Sequence, residues 1–244
     1  MLEGLRTAAA GMAAQQQKLD AVANDLANAN TAGYKQVRVG FTDLLYEQGG
    51  RPTANNVVIG TGARAVDAGR NFEQGSLQQT GVPTDVAIEG EGFMKVKLSD
   101  GRVALTREGD LHVDGRGRLT TNSGIIQPPI NIPKGVDDSQ LSIQKDGTVL
   151  AANRRVGRIQ LVTVRNPAGL QSVGQSAFVT TAASGNAVAA PAATALTQGV
   201  LEGSNTDMAQ AMVDMINAQR TYQLTSKAIQ TADQMMEIAN QVKR

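Results

Sequence analysis

The chain has 244 residues, a formal net charge of +1, one histidine and no cysteine. A net charge this close to zero gives no overall field that would attract nucleic acid or an anionic membrane, and the absence of cysteine excludes disulfides, a thiol nucleophile and thiolate metal ligands. No apolar run approaches the roughly 20 residues needed to span a bilayer, and the N-terminus lacks the basic start and apolar stretch of a secretory signal. We therefore expect no nucleic-acid partner, no membrane insertion and no cleaved signal peptide.

The N-terminal segment carries a seven-residue repeat of leucine and methionine. The repeated positions are Leu5, Met12, Leu19 and Leu26. Three residues ahead of each lies Leu2 or a smaller or polar residue, and this 3/4 split of a seven-residue period is typical of a coiled-coil helix. We predict a helix from about residue 2 to about residue 28, because Asn28 begins a run of asparagine, alanine and threonine that is closed by Gly33.

The middle of the chain favours strands over helices. Residues 31–65 show no regular pattern, and we assign them to a connector. Residues 66–181 contain short apolar stretches separated by Asp-Gly pairs, which are typical of antiparallel hairpins. Residues 182–203 begin with a run of alanine, serine, glycine, asparagine and proline, which buries too little apolar area to order itself. We assign this last stretch to a linker.

The C-terminal segment repeats the pattern of the first helix. The repeated positions are Met208, Met215, Tyr222, Ile229 and Met236. Each is followed three residues later by alanine or threonine, which leaves shallow sites for the side chains of a partner helix. The segment opens with hydroxyl, amide and carboxylate side chains that can satisfy the free N–H groups of a helix start, and we predict a helix that ends near residue 242.

The two predicted helices belong together. We expect an α+β fold in which discontinuous N- and C-terminal helices, within residues 1–30 and 204–244, pair as a coiled coil, with a central, mostly antiparallel β-domain between them. Residues 7–17 carry no charge, and the C-terminal helix carries few. Because a solvent-facing helix usually carries more charge, the sequence favours assembly through copies of the same helix pair. A single intramolecular hairpin with a polar outside is the alternative.

The single histidine lies in a stretch that could be read as a metal site. Strand alternation places Asp110, His112 and Asp114 on one face, and carboxylates beside an imidazole can bind a metal. The same alternation also describes an ordinary strand with Leu111 and Val113 turned inward and a polar outer face. We favour the ordinary strand and expect no metal.

Other candidate chemistry in the chain is weak. The Gly-Glu-Gly-Phe stretch that contains Glu91 lacks the lysine and hydroxyl of a phosphate loop. Glu89 and Glu91 fall at strand or turn positions, where solvated carboxylates are expected. Methionines at helical spacing are typical of adaptable packing. We therefore expect no catalytic residues, no cofactor and no enzymatic activity, and a hydrolase that uses Asp110 or Glu108 is the alternative.

Specific motifs occur at both ends and in the middle of the chain. Near the N-terminus, a helix rich in alanine and glutamine leads into Asn-Asp-Leu-Ala-Asn and then a Thr-Ala-Gly-Tyr-Lys turn. Near the C-terminus, a Glu-Gly-Ser-Asn start leads to Met-Ile-Asn-Ala-Gln-Arg-Thr-Tyr. The motifs occupy residues 11–16, 22–35, 74–77, 85–93, 106–109, 202–207 and 215–222. Together they resemble the bacterial flagellar rod and hook protein family.

The resemblance implies a non-enzymatic structural protein of the flagellar basal body. Residues 41–46 and 231–236 are most similar to the subunit of the distal rod, whereas the short stretch 47–59 leaves a proximal-rod relative or a Gram-positive variant open. A hook-type axial protein is a further alternative. Members of the family are exported by the flagellar type III apparatus with an uncleaved N-terminus. They polymerise into a rod that crosses the cell envelope and transmits torque from motor to hook. The implied partners are copies of the chain, adjacent rod and hook proteins, the surrounding ring proteins and the export apparatus.

The alternative outside this family is a binding module, in which a β-domain is displayed on a coiled-coil stalk. A stalk would give discrete oligomers, whereas an axial protein gives open-ended helical polymers. The residues expected to mediate assembly are Leu5, Met12, Leu19, Leu26, Asn28, Gly33, Asn205, Met208, Met215, Gln219, Arg220, Tyr222, Ile229 and Met236.

Overall fold

The computed structural model describes residues 2–44, 46–48, 58–60 and 62–242. The chain divides into two compact units, each made of segments distant in sequence. The first unit comprises Met1–Ala27, Val37–Ala68 and Asp207–Arg244, and the second comprises Asn28–Gln36 and Gly69–Thr206. Both helices belong to the first unit, and the large β-sheet belongs to the second, so the predicted α+β fold is confirmed.

The first unit is built on the two terminal helices. Its elements are α1 (Leu2–Ala27), β1 (Val37–Asp43), β2 (Tyr46–Gln48), β3 (Val58–Gly60), β4 (Ala63–Arg70, which continues into the second unit) and α2 (Met208–Val242). The helices pack against each other, and their buried apolar residues are small: Ala14, Ala211 and Ala218. Small side chains at these positions let two helices approach closely, as the sequence pattern predicts.

Aspartate side chains form hydrogen bonds at the start of α2 and near the end of α1. The Oδ1 atom of Asp207 accepts hydrogen bonds from the backbone N–H groups of Ala209 at 2.8 Å and Gln210 at 3.2 Å, which caps the start of α2. In the last turn of α1, the buried Asp25 accepts a hydrogen bond at 3.1 Å from the N–H of Val37, the first residue of β1. No helix within the described residues is long and apolar enough to cross a membrane.

The predicted connector, residues 31–65, contains strands where the sequence shows no pattern. β1 pairs with β4, and β2 pairs with β3 in antiparallel register, with Glu47 opposite Ile59. Each strand therefore pairs with a strand that is separated from it in the sequence, and β4 begins in the connector but extends beyond it to Arg70. Such pairing leaves little periodic trace, because the partner strand is separated from it by other residues in the sequence.

The second unit holds the remaining strands. They are β5 (Leu77–Gln79), β6 (Val86–Glu89), β7 (Phe93–Lys97), β8 (Val103–Thr106), β9 (His112–Val113), β10 (Leu119–Thr120), β11 (Ile125–Ile126), β12 (Leu141–Ile143), β13 (Thr148–Ala151), β14 (Arg154–Arg158), β15 (Leu161–Thr163), β16 (Gln171–Gly174), β17 (Ala177–Val179), β18 (Val188–Ala189), β19 (Ala195–Gln198) and β20 (Val200–Glu202). Short 3₁₀ turns occur at Asp138–Gln140 and Pro167–Gly169.

Nine of these strands form one sheet. Its main path runs β16-β17-β8-β7-β11-β10-β9, and β15 joins β7 and β18. A second sheet has the order β12-β13-β14, and two strand pairs, β19-β6 and β20-β5, complete the unit. The predicted Asp-Gly hairpin turns are confirmed between β7 and β8 and between β12 and β13, where Gly101 and Gly147 each have φ +88°.

Part of the predicted linker, residues 182–203, is also ordered. β19 pairs with β6 from Ala195 opposite Glu89 to Gln198 opposite Val86, and Leu196 is 1% exposed. Composition alone misses this segment because the apolar surface that covers Leu196 comes from strands about a hundred residues earlier in the chain.

The core of the second unit has two parts. The larger one is lined by aliphatic residues of β6 to β15, among them Val86, Val96, Ile126, Val149 and Ile159. The smaller one is an aromatic cluster in which Phe72, Phe93 and Phe178 meet edge to face, with ring centroids 5.1 to 6.4 Å apart. This geometry adds to the stabilisation that burial of the rings provides.

Candidate functional site

The predicted helix seam lies where α1 and α2 meet, although one copy of each helix covers it only in part. The half-buried seam residues are Leu5, Met12, Leu19, Leu26, Met215, Ile229 and Met236. Met208 and Tyr222 are more open, at 49% and 39% exposed. In a single chain Ala211 and Ala218 are therefore buried in the seam, whereas the large seam residues are not.

α2 also carries exposed apolar side chains outside the seam. They are Met212, Val213, Ile216, Leu224, Met235 and Ile238. The sequence analysis noted the low charge of this helix and interpreted its methionines, which include Met212 and Met235, as packing residues, but it did not single out Val213, Ile216, Leu224 or Ile238. They can be recognised in the sequence as large apolar residues that lie between the positions of the seven-residue repeat. A helix with apolar side chains on several faces usually packs against more than one neighbour. Gln219 and Arg220, which the sequence analysis assigned to assembly, are exposed on the same helix.

The predicted assembly residues in the turns that flank the helices belong to the second unit. Gly33 has φ +66°, and a Cβ there would lie 2.7 to 2.9 Å from backbone atoms of Arg107 and Glu108, so glycine is required at this position. Asn28 accepts a hydrogen bond at 3.2 Å from the hydroxyl of Thr31. Asn205 accepts one from the N–H of Gln36 at 2.9 Å. All three residues therefore make contacts within the chain, and their role in assembly stays a prediction.

A buried charged cluster lies beside these turns. It consists of Lys35, Arg107 and Glu202, and we call it the charged junction. The Nζ atom of Lys35 lies 2.6 Å from one carboxylate oxygen of Glu202, and the Nε atom of Arg107 lies 3.0 Å from the other. The three side chains are between 0% and 3% exposed. One carboxylate therefore holds two cations in a site that excludes water.

Further hydrogen bonds satisfy the remaining polar atoms of the charged junction. Lys35 donates to the carbonyl of Glu73 at 2.7 Å, Arg107 donates to the carbonyl of Gly90 at 3.0 Å, and the N–H of Gly75 donates to Glu202 at 2.9 Å. Burial lowers the pKa of Lys35, the attraction of the Glu202 carboxylate opposes this effect, and the Arg107 cation adds to it. Burying an ion costs several kcal/mol unless its partners offset that cost, so each member depends on the others.

Sequence reasoning missed the charged junction, although the signal was present. Each of the three groups of motifs contributes one of its charges: Lys35 ends the N-terminal turn motif, Arg107 lies in the middle Thr-Arg-Glu-Gly motif, and Glu202 opens the C-terminal Glu-Gly-Ser-Asn motif. Charged residues inside glycine-containing motifs, where surface charge has no evident use, point to an ion pair between the motifs.

The stretch around His112 is an ordinary strand. His112 and Asp110 are exposed, whereas Leu111 is buried and Val113 half-buried against the core, as expected. The carboxylate of Asp114 accepts hydrogen bonds from the backbone and side chain of Arg118 and from the N–H of Arg116, and these bonds lower the pKa of Asp114 to about 2. Among the described residues, no group of three or more His, Cys, Asp or Glu side chains is placed to hold a metal.

Glu108 differs from the other carboxylates of the chain. It is buried, and burial raises its pKa. Its carboxylate accepts a hydrogen bond from the side-chain amide of Asn122 at 2.6 Å, and Ser123 lies at 3.5 Å from it. A raised pKa suits a general acid. A catalytic triad would also need a histidine base, and His112, the single histidine of the chain, is exposed on β9.

His112→Ala is expected to leave both bound metal and stability unchanged. The exposed side chain makes no contact that burial would strengthen, so the free energy of unfolding should change by about 0.5 kcal/mol or less. Leu111→Ala is the matched control one residue away, and it should cost about 2 to 5 kcal/mol because Leu111 is buried. Elemental analysis and urea denaturation test both variants. Stoichiometric metal that is present in the wild type and lost in His112→Ala would contradict the prediction.

Comparison with known proteins identifies the family of the chain. Residues 5–35 match the family model of flagella basal body rod proteins, residues 87–151 match the D1 domain of the flagellar hook protein FlgE/F/G, and residues 197–242 match the C-terminal region of the flagellar basal body rod FlgEFG proteins. Each of the three matched regions therefore includes one member of the charged junction. Lys35 is the last residue of the first region.

Individual relatives match over the full length. The flagellar basal-body rod protein FlgG of Borreliella burgdorferi is 41% identical over 100% of both chains. FlgG of Caulobacter vibrioides is 38% identical over 99% of this chain and 100% of its own. The flagellar hook protein FlgE of Helicobacter mustelae is 37% identical over 52% of this chain and 30% of its own. The chain therefore belongs to the flagellar basal-body rod and hook protein family, and its full-length relatives are rod proteins.

Proposed function

We propose that this chain is a structural subunit of the distal rod of the bacterial flagellum, that it polymerises into the axial shaft, and that it is not an enzyme. The observation that carries the proposal is the helix pair of the first unit, whose large apolar side chains stay half-covered or exposed in one chain. Full-length similarity to basal-body rod proteins supports the rod over the hook, because the hook relative matches only about half of the chain.

Polymerisation would bury the apolar side chains that a single chain leaves open. Each fully buried side chain of the size of leucine, isoleucine or methionine contributes about 1.5 to 3 kcal/mol. Leu224 and Ile238, at 68% and 60% exposed, have the most to gain. Contacts between unlike faces of identical subunits produce open helical polymers when the rotation does not close a ring. The exposed α2 residues and the half-covered seam provide such unlike faces.

The proposed partners follow from this role. Copies of the chain and adjacent rod and hook proteins would contact the helices, through the seam residues named above and through Gln219 and Arg220. The second unit would form an outer layer that meets the surrounding ring proteins of the basal body. Export by the flagellar type III apparatus would deliver the chain across the cell envelope to the rod.

Electron microscopy of concentrated purified protein tests the proposed function. Open-ended tubes or filaments whose length grows with concentration are the expected result. Oligomers of one fixed size in sedimentation experiments would instead favour a β-domain binding module on a coiled-coil stalk. Protein that stays monomeric at every concentration would contradict self-assembly.

A further inference from the structure

The second unit is connected to the rest of the chain through three segments, and all three meet at the charged junction. The first segment, Asn28–Gln36, follows α1, the second begins at Gly69 within β4, and the third ends at Thr206 before α2. Glu202 contacts each of them: Lys35 in the first, Gly75 in the second, and the third as its own backbone. Its carbonyl also accepts a hydrogen bond at 2.8 Å from the N–H of Gly33.

A second set of hydrogen bonds, outside the charged junction, ties the same three segments. The side chain of Asn205 accepts a hydrogen bond from the N–H of Gln36 at 2.9 Å and donates to the carbonyls of Asn71 at 2.8 Å and Glu73 at 3.1 Å. The guanidinium of Arg70 donates to the carbonyl of Lys35 at 2.7 Å. Each segment is therefore held to both of the others by side-chain hydrogen bonds.

The backbone is close-packed at the same place. A Cβ at Gly75 would collide with the carbonyl oxygen of Gly203, and the N–H of Gly203 donates to the carbonyl of Ser76 at 2.8 Å. Because Gly33 and Gly75 carry no side chain, the three backbone segments can approach one another within hydrogen-bonding distance. Backbone that is packed this closely leaves the three segments little room to move relative to one another, even without a neighbouring subunit.

We infer that Glu202 and Asn205 are positioning residues, which fix the three connecting segments to one another in the isolated chain, before any neighbouring subunit binds. The points at which the chain leaves the second unit for α1, β1, β4 and α2 are then set by the second unit itself. This inference rests on the proposed function for its relevance to assembly, whereas the fixed segments are a property of the single chain.

Hydrogen exchange on the full chain, at a concentration where it is monomeric, tests the inference directly. In the wild type, the amides of Gly33, Gln36 and Gly203 should be protected. Glu202→Gln leaves the Lys35 and Arg107 cations buried without a counter-charge, so exchange at these amides should rise by about 100-fold or more. Asn205→Ala removes neutral hydrogen bonds only and should raise it by about tenfold.

Two further measurements separate positioning from general stability. The amides of Val96 and Ile126, on β7 and β11 of the same unit, should keep their wild-type exchange in Asn205→Ala. The control variant Glu89→Gln changes an exposed carboxylate of β6 and should alter neither set of amides. If the core amides accelerate as much as the junction amides in both junction variants, or if the junction amides are unprotected in the wild type, the inference is wrong.

An assembly assay completes the test. Asn205→Ala protein with a protected core should polymerise at least about tenfold more slowly than the wild type, because its helices leave the second unit from unfixed segments. Polymerisation of this variant at the wild-type rate would overturn the positioning role. Failure of the wild type to polymerise would instead contradict the proposed function, and the exchange experiment would still decide whether the segments are fixed.

Discussion

Met215→Asp is expected to abolish polymerisation and to leave the melting temperature of the second unit unchanged. Met215 lies on the side of α2 that faces α1, between the buried Ala211 and Ala218, and the second unit contains no part of α2. A carboxylate buried there has no cation to offset its desolvation, which costs several kcal/mol at every subunit contact that covers it. Leu19→Asp places the same charge on α1 and should have the same effect.

Conservative changes at the same two positions provide the matched controls. Met215→Leu and Leu19→Met keep the volume and the apolar character, so each should cost less than about 1.5 kcal/mol and still allow polymers to form. Electron microscopy measures assembly, and calorimetry measures the melting of the second unit. A lower melting temperature of the second unit in Met215→Asp would mean that the helices stabilise that unit. Tubes of wild-type length in this variant would show that the seam does not take part in assembly.

Phe178→Ala is expected to destabilise the second unit by about 3 to 5 kcal/mol. Phe178 is 1% exposed, and its ring meets Phe72 and Phe93 edge to face at 5.1 and 6.4 Å between centroids. The guanidinium of Arg70 lies 5.7 Å from the ring centre. Truncation therefore removes both the buried area and these oriented contacts, and leaves a cavity between β17 and its neighbours. A domain has only about 5 to 15 kcal/mol of stability in total, so the loss is large.

Urea denaturation followed by circular dichroism measures the effect. Val188→Ala is the control in the same unit, because Val188 is 56% exposed on β18 and its truncation should change stability by about 0.5 kcal/mol or less. Similar losses in the two variants would show that the aromatic cluster contributes no more than surface packing does.

The sequence by itself determined the helices, the turns and the family. The seven-residue repeat predicts two paired helices, and Ala211 and Ala218 lie buried where it expects small residues against a partner. Asp207 caps α2, and Gly101 closes a hairpin, because both effects depend on residues a few positions apart. Such local causes leave a readable pattern. The roles assigned to the seam residues in assembly stay predictions.

Only the tertiary structure decided which distant segments meet. β1 of the predicted connector pairs with β4, β19 pairs with β6 across more than a hundred residues, and Glu202 binds Lys35 and Arg107 from 167 and 95 residues away. Each of these contacts joins groups that are far apart in sequence, so whether it forms depends on where the rest of the chain places both partners. Neither the period nor the composition of a short segment carries that information. Gly33 and Asn205 illustrate the difference, since the sequence marks both as important and the fold shows that they bind their own chain.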